Sequence, residues 1–346
     1  DVLPYFKKSE TNDRGADEWR GGDGPLHVAT LDRDLHPLCQ NFIKAGEQIQ
    51  VPHNPDFNGA TTEGIGTYQN TAKDGFRMSA ARAYLRPVRR RPNLTIQKNA
   101  HATRILFQGK QAVGVEYVQN GRTLQAHTTR EVILSAGAIN SPQLLQVSGV
   151  GQGGLLRSKD VEVVHDAPGV GQNLQDHISV DFYYKSRVPT LNDQLRPWHG
   201  KLWHGFRYLL TRRGPLSLGV NQGGGFVKSR PGLKYPNMQL YFSPVSYTKA
   251  PPRTRELMNP DAFSGFLTGA QPSRPTSRGH LEIRSRDPFE PPAIHPNYLA
   301  TENDITEMLE GAQFMRRLAA APALADLIDT EIKPGVNVQN DDEFLN

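Results

Sequence analysis

The chain has 346 residues, 37% hydrophobic and 22% charged, with a formal net charge of +5 and one cysteine. That length holds two domains with a sizeable core, and the balance is not that of a disordered chain. No apolar run approaches the roughly 18 residues that cross a bilayer, and the lone Cys39 excludes a disulfide framework, which favours a reducing, cytoplasmic setting.

Residues 1–75 read as loop-rich, with one helix expected over 35–48. Residues 75–85 predict a short helix that stops before Pro87. The densest basic run, Arg86-Pro-Val-Arg-Arg-Arg91, lies in a connection. No nucleic-acid module surrounds it, so a solvated loop is expected and not a polyanion site. Strands are expected at 93–97, 102–107, 111–118 and 123–127, with Asn120-Gly121 as a hairpin turn, and 131–135 completing the sheet. Beyond residue 178 the pattern becomes that of an antiparallel sheet with one wet face, with strands near 180–185, 223–228, 237–242, 264–271 and 279–285. Helices are expected over 202–211 and 304–318, the second with Asn303 at its cap position. The reading is a mixed α+β or α/β fold of two parts, 1–178 and 179–346.

The run Gly137-Ala-Ile-Asn-Ser-Pro-Gln-Leu-Leu-Gln-Val-Ser-Gly-Val-Gly151 follows the apolar stretch Val132-Ile-Leu-Ser135. A strand ending in Ala136-Gly137-Ala138 offers bare backbone at its tip. Asn140 or Ser141 suits the cap of the following helix, Pro142 its first position and Gly149 its end. Free N–H groups at such a start favour an anionic or strongly polar ligand. Gly149-Val-Gly-Gln-Gly-Gly154 satisfies a dinucleotide pattern literally, but a helix precedes it where a strand is required, so it reads as a helix-ending turn. Metal-binding spacings, a Gly-x-Ser-x-Gly elbow and paired glycosidase-type carboxylates are absent.

The same run resembles the second signature of the glucose–methanol–choline (GMC) family of flavin-dependent alcohol oxidoreductases. Further likenesses follow in order: Asp1–Glu10, Gly22–Leu26, Val170-Gly-Gln-Asn-Leu-Gln-Asp-His177, Gly279–Pro288 and Ile294–Leu299. The resemblance implies FAD as cofactor, part of an FAD-binding domain over 1–178, and a substrate domain with an antiparallel sheet flanked by helices over 179–346. It implies hydride transfer from a primary alcohol to the flavin, giving an aldehyde. Likeness to choline-dehydrogenase-like members favours a dehydrogenase over an oxidase, with the electron acceptor left open. No strand–Gly-x-Gly-x-x-Gly–helix unit precedes Asp1, and the family's catalytic His is expected beyond Asn346. The expectation is therefore an internal stretch of a longer enzyme, inactive alone, holding FAD weakly and self-associating through uncovered surfaces.

By the same resemblance, the backbone around Ala102 meets the adenine end of the flavin, and Ala136, Gly137, Asn140 and Ser141 form the cofactor corner. Gln222, Phe226, Tyr241 and Phe242, with Phe266, are candidates for the dry substrate wall, although each aromatic also suits a core. Asp176-His177 looks like an acid–base pair, but neighbouring side chains point apart and His177 reads as structural. The segment 220–228 holds no acid, which favours an uncharged alcohol over a quaternary ammonium. The rival reading is a family-derived, cofactor-free binding or assembly module.

Overall fold

The computed structural model describes residues 1–248, 259–338 and 340–345. In chain order its main elements are α1 (Leu38–Gln48), β1 (Gly64–Thr67), β2 (Ala100–Gln108), β3 (Gln111–Gln119), β4 (Arg122–His127), α2 (Gly137–Val147), β5 (Val180–Ser186), α3 (Trp198–Thr211), β6 (Gly223–Val227), β7 (Met238–Ser243), β8 (Gly265–Pro272), α4 (Glu302–Ala320) and β9 (Ile328–Lys333). They pack as two units, each discontinuous in sequence. Residues 1–91, 177–274 and 305–346 form the first, and 92–176 with 275–304 the second. The change of character near residue 178 coincides with one crossing between units, at 176–177. Residues 1–91 nevertheless pack with the later segments, because β1 hydrogen-bonds to β6 as an edge strand of the larger sheet.

The first unit is built on a six-stranded antiparallel sheet in the order β9-β5-β8-β7-β6-β1. Side chains alternate between its faces, as the pleat requires. Ile65, Phe182, Tyr184, Met238, Leu240, Phe242, Phe266 and Ala270 share one face and pack with Phe42 of α1 and Ala312, Met315 and Leu318 of α4. Phe242 stacks on Phe42 at 4.8 Å between ring centroids. Such burial of large apolar side chains is the main source of stability, at about 1.5–3 kcal/mol for each.

The second unit contains the three-stranded sheet β2-β3-β4 and a smaller one formed by Gln172–Leu174, Gly279–Glu282 and Ala293–His295. The β3–β4 hairpin turns at Asn120-Gly121 with φ of 51° and 74°, the left-handed pair such a turn demands. A core of Ile105, Leu144, Val147, Leu156, Val161 and Ile283 joins this sheet to α2.

Several expected elements differ. Residues 93–97 are not a strand, and 131–135 pair with no strand among the described residues, leaving Ile133 79% exposed. An apolar run makes strand only where a partner meets its backbone. Phe76–Arg77 pairs with Ala72–Lys73 around Asp74-Gly75, both at positive φ, so the helical part begins only at Ala81 and continues past Pro87. Asn303 lies inside the first turn of α4, and Thr301 Oγ1 accepts the Asp304 N–H at 3.3 Å in the capping role. Arg86 and Arg89 to Arg91 are solvent-exposed.

Candidate functional site

The expected cofactor corner, residues 136–141, lies in the second unit. α2 begins at Gly137, earlier than its expected caps, so Asn140 and Ser141 stand within its first turns and Pro142 lies inside it. Ser141 Oγ instead accepts the N–H of Ala136 at 3.0 Å and fixes the turn into the helix. Gly137 has φ of +85°, which a side chain would strain, and a Cβ there would meet nothing within 4 Å. Ala136, Gly137, Ala138 and Asn140 are exposed, and among the described residues no side chain caps the first turn. The corner is thus open main chain with uncapped N–H groups, an arrangement that fits a polar or anionic group lying against it.

Ala102 is exposed on β2, an edge strand of its sheet. One outward N–H of that edge, at Ile105, is already taken by Ser148 Oγ at 2.9 Å. Ser148 also donates to the carbonyl of Leu144 at 2.5 Å, which gives it a structural role. The glycine run 149–154 ends α2 with Gly149 at φ +88°. The short helix after it receives Asp166 Oδ1 on the Gly153 N–H at 3.0 Å, so an internal carboxylate occupies its start. A cavity of about 450 Å³ lies beside residues 132–134, and its lining is mostly apolar, with Lys110 and His165 as the polar members.

The second candidate surface is the face of the large sheet opposite the core. Period two separates two residues expected to share a wall. Phe242 points into the core with no exposure, as does Phe266, whereas Tyr241 and Phe226 point the other way. Gln222 also turns from this face. It is buried, and its Oε1 accepts the His36 N–H at 2.8 Å, with Cys39 Sγ 3.7 Å away. Burial raises the Cys39 thiol to about 12, so it is an inert packed group.

Two glycines make this face possible. A Cβ on Gly224 would lie 2.4 Å from the Tyr68 hydroxyl, and one on Gly269 would lie 2.4 Å from Asp181 Oδ1 and 2.9 Å from the Tyr241 ring. Tyr68 is therefore seated over Gly224, and Tyr241 and Asp181 together over Gly269. Tyr68 donates to the Leu240 carbonyl at 2.6 Å and receives Gln239 Nε2 at 3.4 Å, while Gln271 Nε2 donates to Gln239 Oε1 at 2.9 Å. Phe226 and Phe57 meet edge to face at 5.6 Å, and Phe57 packs on Tyr68 at 5.4 Å. The Tyr241 phenol is pushed well above the ordinary tyrosine range, first by burial and then by Tyr68 and the Asp181 carboxylate. Burial raises Tyr68 as well. The arrangement is a half-buried aromatic surface with one carboxylate.

Tyr68, Asp181, Gln239 and Phe57 were not among the sequence candidates. For Asp181 and Gln239 the signal was available in strand parity: Asp181 alternates with the core residue Phe182 and Gln239 with Leu240, as Tyr241 does with Phe242. His177 Nε2 lies 3.3 Å from the Ser273 carbonyl, while Asp176 receives the Tyr298 hydroxyl, so the two adjacent side chains serve different partners.

The mixed fold, with an antiparallel sheet and helices on its core side, matches solved structures of flavin-dependent oxidoreductases. Pyridoxine 4-oxidase from Mesorbium loti superimposes with TM-score 0.84 at 25% identity, over 99% of this chain and 62% of its own. Formate oxidase from Aspergillus oryzae RIB40, in a structure that concerns its FAD modification, gives 0.86 at 25% identity over 99% and 64%. The GMC oxidoreductase N-terminal domain matches residues 1–179 and the C-terminal domain residues 275–346, and the chain belongs to this FAD-dependent family. Choline dehydrogenase, mitochondrial, from Mus musculus is 42% identical over 99% of the chain, and an oxygen-dependent choline dehydrogenase from Pseudomonas putida is 40% identical over the same share. The chain spans 56% and 60% of the lengths of these two relatives.

Proposed function

We propose that this chain supplies the substrate-recognition face and part of the flavin site of an enzyme that oxidises choline or a close quaternary ammonium alcohol. The carrying observation is the grouping of Tyr68, Tyr241, Phe226 and Phe57 with the Asp181 carboxylate on one sheet face. A trimethylammonium group cannot donate hydrogen bonds, so it is held by aromatic π-faces and a nearby negative charge. Asp181 comes from β5 and is brought to Tyr241 by the register of β8, which is why the acid-free segment 220–228 argued against such a substrate. The choline-dehydrogenase names of the relatives support this reading.

FAD, when bound, accepts the hydride from the alcohol carbon. Within this chain, Gly137 and Ala136 offer open main chain, the α2 N-terminus offers uncapped N–H groups with Asn140 and Ser141 beside it, and the β2 edge at Ala102 offers backbone for the adenine. The aromatic face orients the cationic end of the substrate and excludes water, and Tyr241 remains a neutral phenol near neutral pH. The second unit then serves the cofactor and the first serves the substrate.

The test is calorimetric titration of the FAD-supplemented chain with choline and with 3,3-dimethyl-1-butanol, its uncharged isostere. Choline is expected to bind at least about tenfold more tightly, the lower end of a desolvated cation–π and charge contribution. Asp181→Asn should abolish most of that preference. Equal binding of both alcohols, or a preference that survives the substitution, would sink the assignment.

A further inference from the structure

Side chains two residues apart on a strand stand on the same side of the sheet, so its half-buried face is laid out in cross-strand rows. Asp181, Gly269 and Tyr241 form one row across β5, β8 and β7. The next row, two residues along β8, holds Gln271 opposite Gln239, with Phe226 of β6 beside it. The first row carries the charge and the π-face that suit a quaternary ammonium. The second carries two half-buried carboxamides, which a trimethylammonium head cannot hydrogen-bond.

These amides have a fixed direction. A carboxamide donates from one end and accepts at the other, so its orientation follows from its partners. The chain of contacts starts at a main-chain carbonyl, which can only accept. Tyr68 therefore donates its phenolic proton to the Leu240 carbonyl at 2.6 Å and keeps a lone pair to accept with. Burial raises the Tyr68 phenol above its ordinary range, so that proton is retained near neutral pH. Gln239 Nε2 donates to the phenolic oxygen at 3.4 Å, which turns Gln239 Oε1 toward Gln271. Gln271 presents Nε2 to it at 2.9 Å. The other end of Gln271, Oε1, is an acceptor that receives no donor among the described residues.

A half-buried acceptor without a donor calls for one, and spacing says which. Gln271 lies two residues, about 6.8 Å, along β8 from Gly269, over which Asp181 and Tyr241 are seated. In an alcohol whose oxygen is two carbons from the ammonium nitrogen, three bonds of about 1.5 Å hold the two atoms within about 4 Å. A hydrogen bond adds about 2.8 Å. The spans match, so a cation lodged between Asp181 and Tyr241 brings its hydroxyl to Gln271 Oε1.

We propose that Gln271 Oε1 reads the substrate's hydroxyl as a hydrogen-bond donor, and that Gln239 and Tyr68 are positioning residues that aim it. This rests on the quaternary-ammonium reading of the same face, and it narrows the ligand to alcohols whose O–H lies two carbons from the charged nitrogen. An ether oxygen or an aldehyde carbonyl has no proton to give and leaves the acceptor unpaired, so the face holds the alcohol more tightly than either.

Calorimetric titration of the FAD-supplemented chain with choline and with its methyl ether, methoxyethyltrimethylammonium, tests it, with 3,3-dimethyl-1-butanol as the control for charge. Choline is expected to bind about threefold to tenfold more tightly than the ether, as one net hydrogen bond provides. Gln271→Met keeps the length and removes the acceptor. It should erase the difference between choline and ether while choline stays ahead of the uncharged alcohol. Tyr68→Phe leaves Gln271 in place but frees both amides to turn either end outward. Choline binding should then weaken several-fold and ether binding should not, a split that general loosening of the face would not produce. Should Gln271→Met fold poorly by circular dichroism, the Tyr68→Phe split decides. Equal binding of choline and ether by the parent, with choline still ahead of 3,3-dimethyl-1-butanol, would overturn the hydroxyl assignment and leave the cation site standing. Equal binding of choline and the uncharged alcohol would overturn both. A choline–ether difference that survives Gln271→Met, or a Tyr68→Phe protein that loses choline and ether alike, would overturn the roles given to those residues.

Discussion

The two faces of the six-stranded sheet are made by the same strands and differ in almost everything else. On one, Phe182, Tyr184, Leu240, Phe242 and Phe266 are removed from solvent under α1 and α4. On the other, Asp181, Gln239, Tyr241, Phe226 and Gln271 remain half-buried, with Gln271 hydrogen-bonded to Gln239 and with Asp181 and Tyr241 seated over Gly269. A face that needed only to be wet would carry small polar and charged residues. This one carries tyrosines, phenylalanines and side-chain amides held in fixed places, which costs conformational freedom without completing a core. That combination is what the proposed recognition surface requires and a merely solvated one does not.

The contrast is tested most strongly by truncating neighbours on β7. Phe242→Ala removes a ring stacked on Phe42 and adjacent to Phe266, and should cost about 3–5 kcal/mol in denaturant unfolding. Tyr241→Ala, one residue away on the opposite face, should cost less than half as much while weakening choline binding. Similar losses of stability at both positions would show that the second face is simply more core.

A smaller effect is expected at the seat itself. Gly269→Ala places a methyl 2.4 Å from Asp181 Oδ1 and 2.9 Å from the Tyr241 ring, so those side chains must shift. Overpacking of this kind costs about 1–3 kcal/mol, and the shift should remove the choline preference even where the fold persists. An unaltered preference would mean that Asp181 and Tyr241 need no fixed placement.

Much of this architecture was legible in the sequence because it is local. The Asn120-Gly121 turn, the alternation along 237–242 and the 3.6-residue period of α4 each depend on residues close together in the chain. What escaped depends on partners. Residues 131–135 have strand composition but no pairing strand among the described residues, and α2 begins at Gly137 because a left-handed glycine permits the turn there before any side-chain cap. The aromatic–carboxylate face escaped for the same reason. Asp181 and Tyr241 are distant in sequence and meet only because both pair with Gly269 across β8. Counting acids within one segment could not reveal that. The parity of Tyr241 and Phe242, by contrast, was readable from period two alone, and applying it would have divided the candidate wall correctly.

The smallest effect distinguishes two tyrosines, one on each face. Tyr184 and Tyr241 both have phenols held above the usual range, first by burial in each case. The second influences differ: Glu331 acts on Tyr184, whereas Tyr68 and Asp181 act on Tyr241. Raising a folded-state pKa above its unfolded value near 10 stabilises the fold below that pH, and the contribution is lost as pH rises, because the unfolded phenol ionises first. Tyr241→Phe and Tyr184→Phe should therefore each blunt the loss of stability between about pH 10 and 12. Asp181→Asn removes a negative charge beside Tyr241 only. It should bring one phenol's ionisation, followed at 295 nm, to lower pH, and this shift should vanish in the Tyr241→Phe background but persist with Tyr184→Phe. The opposite pattern would place the Asp181 charge on the core side of the sheet and dissolve the distinction between the faces.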